Sequence, residues 1–379
     1  MSPVGHALHL PCERTPSRTP EGVKGELDLS KIIHFILGSQ AWEPWINDFL
    51  IKSDVITSEC NSSPQLEEQL AAVRRTKPDA VIFLGHHETL ERDLIWAHEL
   101  RGLAPRIVLP NSTITELAYD KRKMGILAAS AKEFSAIQEL TRDEAVYRLT
   151  GESSSVILKR VKGTEGVGFR VIPDVNTLEQ LFSESQASSS DWMLQPFIQG
   201  REVSVNIFRT NGKFGVFEPV EKGLNGLASV HPSKRTRYCP SPMLTEAQKK
   251  ALYRASEELA TLVNLDGVAE LEFIVAGDAA YFLEINPRIA ATMRMNCLAC
   301  RRSLFQELGE SLFEVGSSSR VFPAEAYSQE FPLPTSAEKF RNSGSPWPGV
   351  WITSRVTVAA DSPEALMARV EEVKRRLGQ

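Results

Sequence analysis

The stretch "AELEFIVAGDAAYFLEINPR", Ala269 to Arg288, places three glutamates, an asparagine and an arginine within one hairpin-like segment. Side chains on a strand alternate faces, so Glu270, Glu272 and Ile274 share one. With a three-residue loop, Gly277 to Ala279, Glu272 would face Glu284 and Glu270 would face Asn286, their Cβ atoms about 5 Å apart. A loop of two or four residues would send Glu284 to the opposite face. Like charges so placed repel, and a divalent cation offsets the repulsion most simply. Oxygen donors without Cys or His suit Mg²⁺, which keeps several waters and bridges carboxylates to phosphates. The plainer alternative is a hairpin face whose carboxylates point into water. Pro287 cannot donate to a ladder, so the strand should end there and present Arg288 beside the acids.

A second chemical feature lies upstream. In "KRVKGTEGVGF" Gly163, Gly166 and Gly168 sit between two strands rather than before a helix. Glycines let successive backbone amides converge on an anion, and Lys159, ending the preceding strand, adds a point charge for phosphates. Neither the Walker pattern GxxxxGK[ST] nor a GxGxxG after the first strand occurs, which argues against a P-loop and a dinucleotide site. A glycine-rich hairpin turn beside a lysine is commonly only a turn, and the phosphate signal strengthens because acids, arginine, glycine loop and lysines occur in one chain.

Recognisable elements must hold these groups. "IIHFIL" reads as a strand running into Gly38, followed by strand "DVITSE", a helix around "SPQLEEQLAAVRRT", strand "DAVIFLG", another helix and strand "RIVLP". That alternation predicts a parallel sheet with helices on its faces, and His86 and His87 close its third strand, where such sheets hold ligands. After "AYDKRKMGILAASA" the pattern becomes mixed. "SVILKRVKGTEGVGFRVI" reads as strand, glycine loop, strand, and "WMLQPFIQGREVSVNIF" as two strands broken near Gly200. "TEAQKKALYRASEELATLVN" has helical apolar spacing and leads into the acidic hairpin. Near the end, "GVWITSRVTVAA" reads as a strand and "SPEALMARVEEVKRRL" as a helix capped by Ser362 with Pro363 in its first turn.

Composition bounds the answer. The 379 residues carry a formal charge of -5, with 42% hydrophobic and 24% charged residues, as in ordinary globular proteins of two or three domains. The mild charge argues against a nucleic-acid platform, and the cluster Lys234, Arg235, Arg237 reads as local. There is no run of apolar residues long enough to span a membrane. "MSPVGHALHLPCERTPSRTPEGVKGE" is broken by prolines and reads as a flexible tail rather than a signal peptide. The five scattered cysteines fit reduced thiols in a cytoplasmic protein, and Cys297 and Cys300, though a CxxC, lack the companions of a zinc site and read as packing.

The order "YDKRKM", "VILKRVKGTEGVGFRVI", "MLQPFIQGREVSV", "AELEFIV", "YFLEINPR" resembles the ATP-grasp superfamily, in particular its carboxylate-amine ligases and carbamoyl-phosphate-synthase-like members. The resemblance implies an α/β and α+β fold. A flexible tail (1–28) would lead into a Rossmann-like pre-ATP-grasp domain (29–118), then a two-lobed ATP-grasp domain (119–310, lid lobe about 130–195) and a C-terminal α/β segment (311–379) packing on its core. It implies ATP with Mg²⁺ or Mn²⁺. Lys121 and Lys159 would contact the phosphates, with Gly163, Gly166 and Gly168 as the lid. Gln195 and the Phe197 backbone would read the adenine, and Glu202 the ribose. Glu272, Glu284 and Asn286 would hold the metal, with Arg288 and Lys159 as the catalytic pair. Gln195 departs from the acid common at its position, and Glu165 adds a negative charge to the lid. The implied reaction joins a small carboxylate, such as an amino acid, to an amine with release of ADP. A bicarbonate-activating enzyme and a non-catalytic ATP-binding module are the alternatives. The expected partners are small molecules, with a homodimer as a compatible assembly and neither nucleic acid nor membrane. Arg294, Arg301, Arg302 and His231 are candidates for recognising a substrate carboxylate.

Overall fold

The computed structural model describes residues 31–39, 46, 49–50, 56–86, 88–151, 155–162, 169–183, 190–225, 234–313, 320–341 and 343–378. The expected tail, the lid glycines Gly163, Gly166 and Gly168, and Glu165, His87 and His231 lie outside these.

Strands β1 (Lys31–Ile36), β2 (Ile56–Asn61), β3 (Ala80–Phe83) and β4 (Arg106–Val108) form a sheet in the order β2-β1-β3-β4. Every pairing in it is parallel. The near-continuous apolar runs of β1 and β3 reflect burial on both faces. On one face Ile36, Val81 and Phe83 pack against Val73, Trp96 and Ala97 of the helices Leu66–Thr76 and Leu90–Glu99. On the other, Ile33, Phe35 and Ile82 pack against Ile289, Met293, Phe305 and Leu308. The second face is closed by Ile46 and Phe49 of the β1–β2 connection together with these residues from the rest of the molecule.

A small lobe follows. Strands β6 (Val156–Arg160), β7 (Arg170–Ile172) and β8 (Trp192–Pro196) form an antiparallel sheet in the order β7-β6-β8. Its own core joins Val156, Leu158 and Leu194 to Ala145, Leu178 and Leu181 of two flanking helices.

Among the described residues the largest sheet has twelve strands. Along its main path it contains β17 (Gly344–Trp347), β18 (Val350–Ile352), β19 (Arg355–Ala360), β16 (Tyr327–Pro332), β12 (Arg237–Cys239) and β11 (Val220–Leu224). The path continues through β9 (Arg201–Thr210), β13 (Gly267–Ala276), β14 (Ala279–Asn286) and β5 (Ser135–Ala136), while β10 (Lys213–Phe217) and β15 (Arg320–Phe322) pair beside β9. The C-terminal strands thus extend the central sheet, while the helix Pro363–Arg376 gives them a separate apolar core through Leu366, Val370 and Val373.

Alternation along β9 and β13 assigns the two faces. Val203, Val205, Ile207, Ala269, Leu271 and Phe273 join the core built with the helix Glu246–Leu262. That helix is started by a Thr245–Gln248 capping box and buries Leu252, Ala255 and Leu259 at helical spacing. The alternate residues Ser204, Asn206, Glu270 and Glu272 point the other way and remain polar.

The hairpin departs from the expected loop. Ala276 pairs with Ala279, so the loop is the two residues Gly277 and Asp278, with Gly277 at φ +58°. Yet Glu272 does face Glu284, and Glu270 faces Asn286. The register shifts by one between Glu272 and Phe273, leaving Leu283 as the extra residue of a β-bulge. Ala280 and Phe282 face the apolar core before the bulge and Ile285 faces it after, so Glu284 and Asn286 are delivered to the polar face.

Candidate active site

The acids do not wait for a cation from solution to offset one another. Lys222 lies 2.6 Å from Glu272 and 3.2 Å from Glu270, and its side chain is only 7% exposed. It reaches them from β11 across the intervening strand β9. A second bulge makes this possible: Glu221 pairs with Val203 and Gly223 with Glu202, so Lys222 is the unpaired residue and its side chain is re-aimed. Gly223, at φ +92°, provides the backbone conformation that a side chain would resist. A divalent cation is the simplest expected offset to the repulsion; this internal ammonium already supplies part of it.

The two acids differ. Glu270 accepts from the hydroxyls of Ser204 (2.5 Å) and Thr292 (2.9 Å). Burial alone would push its carboxyl up, but Lys222, Arg288 and the two hydroxyls hold it well below the usual range. Glu272 is raised, first by burial and then by Glu270 and Glu284, with Lys222 opposing. Asn286 directs Nδ2 toward both acids, 3.4 Å from Glu270 and 3.3 Å from Glu272. Among the described residues no group of three or more His, Cys, Asp or Glu could cage a metal. Glu272, Glu284 and Asn286, the residues expected to hold a metal, would offer two carboxylates and an amide oxygen. Such an open all-oxygen set fits an ion that keeps waters and takes phosphate oxygens as further ligands.

The cationic side is assembled from three segments. Lys159, at the end of β6, is half-buried; its ammonium is pushed down to about 8, chiefly by burial, with Glu284 raising it and Lys121 lowering it. Lys121 opens the helix Lys121–Ala128 and its N–H donates to the Val161 carbonyl, which brings that helix to the small lobe. Arg288 donates to its neighbouring Ile289 carbonyl, and the Ile289 N–H donates to Leu84, just beyond β3. The parallel sheet thereby fixes the arginine. Gly85, at φ +51°, lies so close that a Cβ there would sit 3.4 Å from Arg288 Cβ.

The depressed Lys159 sets a pH dependence. An anion bound beside it favours the protonated form, so phosphate affinity should be level below pH 8 and weaken as pH rises above it. Binding there should take up a proton. Calorimetry of nucleotide binding at pH 9 in buffers of different ionisation heat measures that uptake directly. No uptake, or identical uptake in Lys159→Met, would remove Lys159 from the phosphate site.

The remaining candidates flank the crossing between the two lobes. Gln195 is buried and its Nε2 donates 2.7 Å to the Ile137 carbonyl. The Phe197 N–H is bonded to Ser155, so a ligand edge would have to be read by the Phe197 carbonyl. Glu202 is paired with Arg235 at 2.7 Å. Asn225 fastens the crossing, accepting from the Gly200 N–H and donating to Ile198, each at 2.7 Å. His86, whose N–H is held by Thr89, faces Glu88 at 3.8 Å. Arg301 makes an exposed pair with Asp361, Arg302 reaches the buried Glu307 at 3.7 Å, and Arg294 is buried on Glu330. Cys297 and Cys300 belong to the apolar core. Sequence reading missed Lys222 and the hydroxyls of Ser204 and Thr292. The polar Ser204 between Val203 and Val205 was the visible signal.

Residues 136–292 match the family model of the ATP-grasp domain. The carbamoyl-phosphate synthase of Methanobrevibacter smithii is 23% identical over 252 residues, which is 62% of this chain and 66% of that protein. The chain spans only 15% and 18% of the next two curated relatives. Among solved structures, N5-carboxyaminoimidazole ribonucleotide synthetase in complex with ADP shares the fold with a TM-score of 0.64 at 15% identity, over 92% of this chain and 98% of that one. The L-amino acid ligase from Bacillus licheniformis does so with a TM-score of 0.60 at 15% identity, over 91% and 97%. No helix among the described residues is long and apolar enough to cross a membrane.

Proposed function

We propose that this chain, which carries an ATP-grasp domain over residues 136–292, is an ADP-forming ligase that activates a small carboxylate as an acyl phosphate and joins it to an amine. The observation that carries this reading is the facing pair Glu272 and Glu284 with Asn286, on a sheet face where Lys159 and Arg288 exert their charge on the acids. Phosphoryl transfer is catalysed mainly by positioning and charge neutralisation, and this face supplies both.

In the proposed reaction a substrate carboxylate oxygen attacks the γ-phosphorus of ATP and ADP departs. The amine then attacks the acyl carbon, phosphate leaves, and the amine proton is lost. Lys121 and Lys159 bear on the nucleotide phosphates, and Arg288 stabilises the transferring phosphoryl group and the acyl phosphate. A magnesium or manganese ion held by Glu272, Glu284 and Asn286 would supply Lewis-acid neutralisation of phosphate charge. Gln195 and the Phe197 carbonyl would lie against the base and Glu202 against the ribose once Arg235 yields it, and Gly163, Gly166 and Gly168 are the residues expected to serve as the lid.

Similarity to an L-amino acid ligase supports amino-acid substrates. The shared fold of a biotin carboxylase domain solved with MgADP and bicarbonate, at a TM-score of 0.63 and 13% identity, supports the second reading, bicarbonate activation. ADP release measured over a panel of amino acids and carboxylic acids, singly and in pairs, separates them. A ligase should need carboxylate and amine together for full turnover, since the acyl phosphate has no efficient exit without its acceptor. Bicarbonate alone restoring ADP release, with no pair active, would end the ligase reading.

A further inference from the structure

The charged row on the polar face continues past Lys222. Arg237 on β12 directly faces Glu330 on β16, which directly faces Thr357 on β19. Glu330 is fully buried and accepts from Arg237 (2.9 Å), Arg355 (2.6 Å), Thr357 (2.9 Å) and Arg294 (2.8 Å), the last supplied by the helix Thr292–Ala299. Three guanidiniums thus share one carboxylate. Arg294 and Arg355 are pushed below their ordinary range, first by burial and further by Arg237, even with Glu330 in contact. Clustered, partly desolvated positive charge of this kind is costly unless an anion completes it.

Arg237 is the member able to receive one. Arg294 spends Nε on Thr357 and Nη2 on Glu330, and Arg355 spends Nε on Glu330 and Nη2 on the Arg235 carbonyl. Arg237 uses Nη1 on Glu330, but its buried Nε has no hydrogen-bond partner among the described residues, and its side chain keeps 12% exposure. It also lies close enough to Lys222 for its charge to act on that ammonium. β12 is three strands from β13, about 14 Å at ordinary strand spacing, a gap that the long side chains of Lys222 and Arg237 shorten.

We propose that Arg237, backed by Arg294 and Arg355 on Glu330, seats a second carboxylate of the substrate, so that the ligase acts on an acidic substrate with one carboxylate at the phosphoryl end and another at Arg237. This rests on the ligase reading above. The test uses thermal unfolding of the whole chain with succinate, glutarate and adipate, their half-amides, inorganic phosphate, and sodium chloride at matched ionic strength. A parallel series adds Mg²⁺ and ATP. At least one dicarboxylate should raise the midpoint beyond sodium chloride, and its half-amide should bind about ten-fold more weakly or worse, as loss of a charge-assisted contact predicts.

Arg237→Gln should abolish that difference, keep the nucleotide response, and leave the unliganded midpoint unchanged or raised. Arg237→Lys should retain part of the response. The proposal is overturned if Arg237→Gln lowers the unliganded midpoint while answering dicarboxylates like wild type, as a purely structural ion pair would. It is equally overturned if phosphate binds through Arg237 and no dicarboxylate does. A wild-type protein that answers dicarboxylates but shows no nucleotide response would instead sink the ligase reading.

Discussion

Glu284→Gln is expected to lower ATP turnover by about a hundred-fold or more, the scale of a few kcal/mol of lost transition-state stabilisation. The fold should survive. Glu284 adds to the repulsion that raises Glu272, so its neutralisation relieves a buried acid. The same change removes the charge that supports protonated Lys159, whose ammonium should then fall below about 8. Steady-state ADP release, read beside a denaturation curve, tests both halves. Wild-type turnover with intact folding would remove the metal assignment, and lost turnover with lost folding would recast Glu284 as structural.

Lys222→Met should have the largest effect on stability, because it leaves Glu270 and Glu272 together in a buried site without their counter-ion. Breaking one partner of a buried ionic group costs about 3 to 5 kcal/mol. The pH dependence has a definite sign. Glu272 is raised above its ordinary 4.5 in the folded protein. Its protonated form is therefore favoured by folding, and the associated stability is present below pH 4.5 and lost as pH rises through the folded value. Removing Lys222 raises Glu272 further and takes away the first of the charges that hold Glu270 down, so the variant should weaken more steeply between pH 5 and pH 8 than wild type. A divalent cation should recover part of the loss, since it replaces the missing positive charge beside the same oxygens. Denaturant titrations at both pH values, with and without Mn²⁺, provide the measurement. Wild-type stability at pH 8 without metal would show that Lys222 is not the counter-ion.

The helix Glu246–Leu262 was legible because its apolar spacing and its Thr245–Gln248 cap are local. The parallel sheet was legible from apolar runs alternating with helices, and the break at Gly200 from composition alone. The acids and their facing partners were also read correctly, though the loop that was to bring them together was not the one the chain uses. By itself, the sequence determined which residues could do chemistry, namely Glu272, Glu284, Asn286, Arg288 and the lysines, and which local elements carry them. Tertiary structure decided how they meet. The bulges at Leu283 and Lys222 exist only against a paired strand, and Lys222 reaches an acid 50 residues away in sequence. Ile289, next to Arg288, is held by Leu84 just beyond a strand of another sheet, and Glu330 gathers arginines from two strands and a helix. Alternation with period two is a property of one strand, but register, bulges and buried charge pairing are properties of strands together, settled by the energy of burying them in contact.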